Sequence, residues 1–150
     1  MSTLVIIPCG KAKVWDKNPA LGAVAAKDAY NGTPFRTNLA YAEATGNRWM
    51  ILSAKYGFIE PDFSVPETYN VKFGKRATKP ISVEELRIQA DAIGLTSYAR
   101  VVVLGGIDYR TVVQQTFLAT GTEVECPFEG APNQGTLTRN VRRATEAMKR

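Results

Sequence analysis

Three short segments gather most of the residue types in this sequence that could do chemistry together. Cys9-Gly10-Lys11-Ala12-Lys13 sets a thiol, a permissive glycine and two ammonium groups side by side. Lysines so placed can hold a phosphate and lower a neighbouring thiol's pKa. The plainer reading is a small packed cysteine beside surface lysines. The spacing is not a P-loop, because the GxxxxGK[ST] pattern is missing. Ser53-Ala54-Lys55-Tyr56-Gly57 offers a donor and a π-face to a base or sugar, or else a stiff turn anchored by aromatics. Glu60, Asp62 and Glu67 follow, and a carboxylate there could act as nucleophile or stabilise an oxocarbenium-like centre. Gly105-Gly106 leads toward Asp108 and Tyr109. Free N–H groups at such a helix start suit an anion, unless Asp108 itself caps them.

What is missing narrows the chemistry further. The chain has no histidine. Ser-His-Asp and Cys-His pairs and histidine metal ligands are therefore excluded. Acid–base work falls to Asp, Glu, Lys, Tyr or Cys with a shifted pKa. Cys9 and Cys126 form no CxxC pair, so no metal site is expected, and no motif calls for a cofactor. The apolar run Leu4–Ile7 is too short for a signal peptide or a membrane span, which reads as a cytoplasmic protein with reduced thiols.

The net charge of +5 is unevenly spread. Residues 1–80 hold 11 Lys/Arg against 6 Asp/Glu, residues 81–133 hold 3 against 7, and residues 134–150 hold 5 against 1. Lys13 and, on the last helix, Arg139, Arg142 and Arg143 are the candidates for contacting a nucleic-acid backbone. A solvated basic surface competes evenly with that reading.

The elements that must position these groups follow from the apolar pattern. At 150 residues with 45% hydrophobic content, one domain spanning residues 1–150 is expected. Residues 3–8, 49–53, 100–104 and 123–126 read as strands, the first three as continuous apolar runs. Thr33 as cap with Pro34 behind it opens a helix that Gly46 can close. Ser82 and Glu85 form a capping box. A helix follows Gly105-Gly106, and a last one starts near Thr136 or Thr138. Residues 54–80 show no periodicity, yet their aromatic residues argue against disorder. The alternation predicts an α/β three-layer sandwich, with a mostly parallel sheet of about four strands and helices on both faces. In such sheets ligands lie beyond the carboxyl ends of the strands, where all three segments fall.

The series IIPCGKAK (6–13), AKDAYNGTPF (26–35), WMILSAKYGFIEPD (49–62), the Tyr69 region and VVVLGGIDY (101–109) resembles a family of small bacterial, archaeal and phage proteins. That family is catalogued mainly as a domain of unknown function. The SAKYG segment also resembles the SGLYG segment of the YaaA peroxide-stress proteins, a group associated with DNA binding and protection from oxidative damage. More distantly, the series is similar to uracil-DNA-glycosylase-like domains of RNA base-modification enzymes, although the glycosylase's water-activating and histidine motifs are missing. The resemblance implies nucleic-acid or nucleotide chemistry at the strand ends, at the base–sugar N-glycosidic bond. Clustering at the predicted strand ends puts Lys11, Lys55, Tyr56, Asp62, Tyr69 and Asp108 in one pocket. Lys55, Asp62 and Asp108 are then the expected catalytic residues: Asp62 the carboxylate, Lys55 the acid or phosphate ligand. Cys9, Gly10, Lys11, Ser53, Tyr56, Tyr69, Gly105, Gly106 and Tyr109 are the expected substrate-binding residues, with Tyr56 as stacking platform. The alternative is a non-catalytic module that binds DNA or captures a nucleotide, and a structural partner of a larger complex also stays open.

Overall fold

The computed structural model describes residues 2–149. Its centre is a five-stranded sheet. Strand β1 (Thr3–Pro8) lies between β3 (Arg48–Ser53) and β6 (Arg100–Val103); β4 (Gly57–Ile59) and β7 (Glu123–Glu125) form the edges. β3, β1, β6 and β7 are parallel, while β4 pairs antiparallel with β3. A small antiparallel pair, β2 (Val24–Ala25) with β5 (Ser64–Val65), stands apart from it.

The apolar runs sit centrally because both their faces are covered. Val5, Ile7, Ile51 and Val102 join one core with Phe35 and Ala42 of α2 (Thr33–Thr45) and Leu137 and Val141 of α5 (Gln134–Met148). Leu4, Ile6, Met50, Val101 and Val103 join the other, with Leu86 and Ala90 of α3 (Val83–Ala92) and Val113 of α4 (Ile107–Thr116). Successive strand residues point to opposite faces, so continuous apolar sequence is what a doubly covered strand needs. Each fully buried Leu, Ile or Met contributes roughly 1.5–3 kcal/mol. The three-layer α/β architecture is as expected. No helix among the described residues is long and apolar enough to cross a membrane.

Several boundaries differ from expectation. The cap of α2 is Gly32, which puts Thr33 and Pro34 inside the first turn, where a missing N–H loses no helical bond. Helix α5 begins at Gln134 because Asn133 Oδ1 accepts the Thr136 N–H at 2.9 Å. The capping box of α3 is present, with Ser82 Oγ accepting from the Glu85 N–H at 3.1 Å. The segment 54–80 is not one long loop. It holds β4 and β5 and brings the sheet to five strands, but runs of two or three residues are too short to show alternation.

The β3–β4 hairpin is clamped from α3. Gln89 Oε1 accepts the Phe58 N–H at 2.6 Å and Gln89 Nε2 donates to the Tyr56 carbonyl at 3.0 Å. Gly57, at φ +80, lies so close beneath that a Cβ there would stand 2.3 Å from Gln89 Oε1. Replacing Gln89 with alanine strands a buried N–H and should cost about 1–3 kcal/mol in denaturant unfolding. A loss below about 0.5 kcal/mol would remove the clamp from the account.

Candidate functional site

β1 and β6 are adjacent and parallel, yet the chain leaves them in opposite directions: α2 covers one face and α4 the other. Such a switch point opens a crevice beyond the strand ends. A cleft of about 800 Å³ lies there, lined by residues 8–13 after β1, Gly105, Gly106 and Tyr109 after β6, and Phe35 and Asn38 of α2. Gly105 makes the close approach possible. Its φ is +106, and a Cβ would stand 2.7 Å from Pro8 Cγ.

The cleft is rich in unpaired N–H groups. The amides of Gly10, Lys11, Gly105 and Gly106 have no backbone acceptor among the described residues. Gly32 and Gly106 cap α2 and α4 without any side-chain bond, and both line the cleft, as does Gln134 at the start of α5. Three helix N-termini therefore open on one space, each carrying partial positive charge. Asp108 is exposed in the first turn of α4 and makes no capping bond, so it leaves those donors free.

Behind the cleft lies a buried hydroxyl chain. Ser53 Oγ accepts the Lys55 and Tyr56 N–H groups, both at 3.1 Å. With its lone pairs taken, its proton goes to Tyr69 Oη at 2.7 Å, and the Tyr69 and Tyr30 hydroxyls share a hydrogen bond of 2.5 Å. Tyr109 Oη stands 3.4 Å from Cys9 Sγ. Lys13 is only 6% exposed; its Nζ donates to the Lys11 carbonyl at 3.2 Å and lies 4.7 Å from the Tyr69 ring centre. Burial pushes Lys13 below the ordinary lysine value, against the opposing charges of Cys9 and Asp16. Burial first, and the Cys9 charge second, push Tyr30, Tyr69 and Tyr109 far above the ordinary 10.0.

Those shifts fix a pH dependence. A phenol whose folded pKa is raised contributes stability that is whole below pH 10 and lost as pH climbs toward the folded value. Each of the three should cost about 1.4 kcal/mol per pH unit above roughly 10. Lys13 acts in the opposite sense just below the ordinary lysine value, and three phenols outweigh one amine. Alkaline titration followed by tyrosinate absorbance should show Tyr30, Tyr69 and Tyr109 ionising only together with unfolding. Reversible ionisation of all six tyrosines in the intact fold contradicts this.

Cys9, Gly10, Lys11, Tyr69, Gly105, Gly106 and Tyr109 line the cleft. Lys13 joins them, drawn in from the outer surface by its bridge to Tyr30. Ser53 is buried behind the wall, and Tyr56 packs on Tyr69, edge to face at 5.4 Å. Lys55 is exposed on the hairpin turn, its Nζ 5.3 Å from the Tyr56 ring centre. Asp108 borders an adjoining depression with Lys72, and Cys9, Lys11 and Lys13 line both spaces. Asp62 is not brought to the cleft. β4 runs back along β3, Glu60 pairs with Arg48 at the start of β3, and Asp62 faces a separate hollow with Phe58 and Ile93. Arg139, Arg142 and Arg143 are exposed on α5 and do not line the cleft. Asn38 and Tyr30 went unassigned from sequence. Asn38 carried a signal, as a polar residue at helical spacing with buried Phe35 and Ala42. Among the described residues no group of three or more Cys, Asp or Glu is placed to hold a metal ion.

Comparison with known proteins adds a family and no activity. Residues 4–140 match the Family of unknown function (DUF6884). The chain is 36% identical over 146 residues to the Uncharacterized protein YfjM of Bacillus subtilis (strain 168), covering 97% of each chain. No solved structure gives a significant match.

Proposed function

Since the chain belongs to the DUF6884 family, whose description states no activity, we propose a function from the cleft itself: it binds a nucleotide, phosphate first, at the β1/β6 switch point. The observation that carries this reading is the convergence of three helix N-termini and four unpaired amides on one space with Lys11 and Lys13. Helix N-termini with glycine-lined approaches are a recurrent phosphate site. The aromatic walls of Phe35, Tyr69 and Tyr109 suit a base or sugar, and the volume lies in the usual range for small ligands, roughly 300–1,000 Å³. The resemblance to nucleic-acid-directed families supports the same ligand class. Calorimetric titration tests it: a nucleoside 5′-monophosphate should bind at least about tenfold more tightly than its nucleoside. Equal affinity, or none, overturns the phosphate assignment.

A second reading is favoured by the buried proton donors: the bound nucleotide loses its base. The C1′–N bond breaks, the base takes its proton from Lys13 or Tyr109, a water oxygen adds to C1′, and the proton that water sheds restores the donor. With Asp62 elsewhere, the carboxylate lining the cleft is Asp16, which accepts the Lys13 backbone N–H at 2.9 Å. Chromatography for free base from DNA, RNA and mononucleotides separates an enzyme from a capture module. A steep fall of binding with salt marks a polymer ligand.

A further inference from the structure

Asn38 stands in the middle of α2 at 5% exposure and lines the cleft. Its amide has no hydrogen-bond partner among the described residues, in contrast to Gln89, which is bonded at both ends. Neither amide atom is sealed from the cleft, since among the described residues the fully enclosed and unpaired side-chain atoms are Arg100 Nε and Arg110 Nε. One turn earlier on the helix, Phe35 also lines the cleft, its ring 5.1 Å from that of Tyr30. With no partner from the protein, that amide is bonded only from the cleft side. The position makes sense once an arriving group completes it.

We propose that Asn38 reads the base of the nucleotide, and this rests on the phosphate assignment above. A carboxamide presents one donor and one acceptor side by side in a plane. Every common nucleobase carries an adjacent donor and acceptor on an edge, and a phosphorylated pentose lacks that planar pair. The phosphate sits at the glycine amides and the base reaches the α2 wall, flanked by Phe35. Asn38 thus decides whether a base is present, and its pattern decides which edge is taken. Aspartate in its place would offer two acceptors, the complement of the paired N–H donors of guanine.

The test compares wild type, Asn38→Leu and Asn38→Asp by calorimetry, using the adenosine, guanosine, cytidine and uridine 5′-monophosphates and ribose 5-phosphate as probes. Wild type should bind its best nucleotide at least about tenfold more tightly than ribose 5-phosphate. Asn38→Leu, which removes an unpaired polar group, should melt no lower than wild type. It should lose about tenfold for that nucleotide and keep ribose 5-phosphate within about twofold. Asn38→Asp should raise the guanosine-to-adenosine preference by about tenfold relative to wild type. Unchanged nucleotide affinity in Asn38→Leu, or an equal loss for ribose 5-phosphate, overturns the proposal. If wild type binds ribose 5-phosphate and all nucleotides alike, base reading falls and the phosphate site stands. If it binds none of them, both fall.

Discussion

Replacing Lys13 with methionine should weaken nucleoside monophosphate binding by about 10- to 100-fold while leaving the fold as stable as before, or more so. A charge-assisted bond to phosphate is worth roughly 1.5–3 kcal/mol, which sets that range. Stability moves the other way because the ammonium is taken out of water with a backbone carbonyl as its hydrogen-bond acceptor. The faces of Tyr69 and Tyr30 and the charges of Cys9 and Asp16 offset only part of that burial, and no carboxylate forms an ion pair with it among the described residues. Methionine keeps the stem against Tyr69 and removes the desolvated charge. The lowered pKa adds a second signature. Phosphate binding needs the protonated amine, so wild-type affinity should fall with rising pH before an ordinary lysine would titrate, and the methionine variant should lack that fall. Calorimetry across pH and urea unfolding read both. Intact affinity, or a stability loss above about 2 kcal/mol, would make Lys13 a structural residue.

Gly105→Ala should cost about 2–4 kcal/mol and lower Tm by ~5–15 °C, through left-handed strain and a clash. The backbone at φ +106 is one that side chains rarely adopt, and the new Cβ would meet the Pro8 ring at 2.7 Å. Relief requires the ends of β1 and β6 to part, which reshapes the cleft, so ligand affinity should fall along with stability. Gly106→Ala is the matched control: its φ is −79 and open space surrounds its Cβ position. That variant should stay within about 1 kcal/mol of wild type. Comparable losses in the two variants would show that close approach at Gly105 is not what shapes the site.

Much of this arrangement is written in the sequence, and the failures have two causes. β1, β3 and β6 are legible because a strand covered on both faces must be apolar throughout, as in Leu4–Ile7 and Val101–Val103. The Gly10–Lys11 and Gly105–Gly106 segments then follow from the rule that ligands sit beyond strand ends. The same rule misleads at Ser53–Gly57. That segment also ends a strand, but it turns straight into β4, which carries Asp62 back toward the start of β3. Neither two-residue strands nor the return direction of a hairpin leave a periodic trace. Lys13 misleads differently. A lysine next to another lysine reads as solvated, whereas Trp15, bonded through Nε1 to the Leu21 and Gly22 carbonyls at 3.1 Å, helps fold the segment over the core. Burial of that kind depends on contacts remote in sequence.

The proposed phosphate site consists of backbone amides at the ends of β1 and β6. Amide NMR shifts of the ¹⁵N-labelled protein, titrated with adenosine 5′-monophosphate and competed with inorganic phosphate, test it most directly. Saturable shifts are expected at Gly10, Lys11, Gly105 and Gly106, reproduced in part by phosphate. Shifts confined to the Arg139–Arg143 stretch of α5 or to the hollow beside Asp62, or no shift at all, would contradict it.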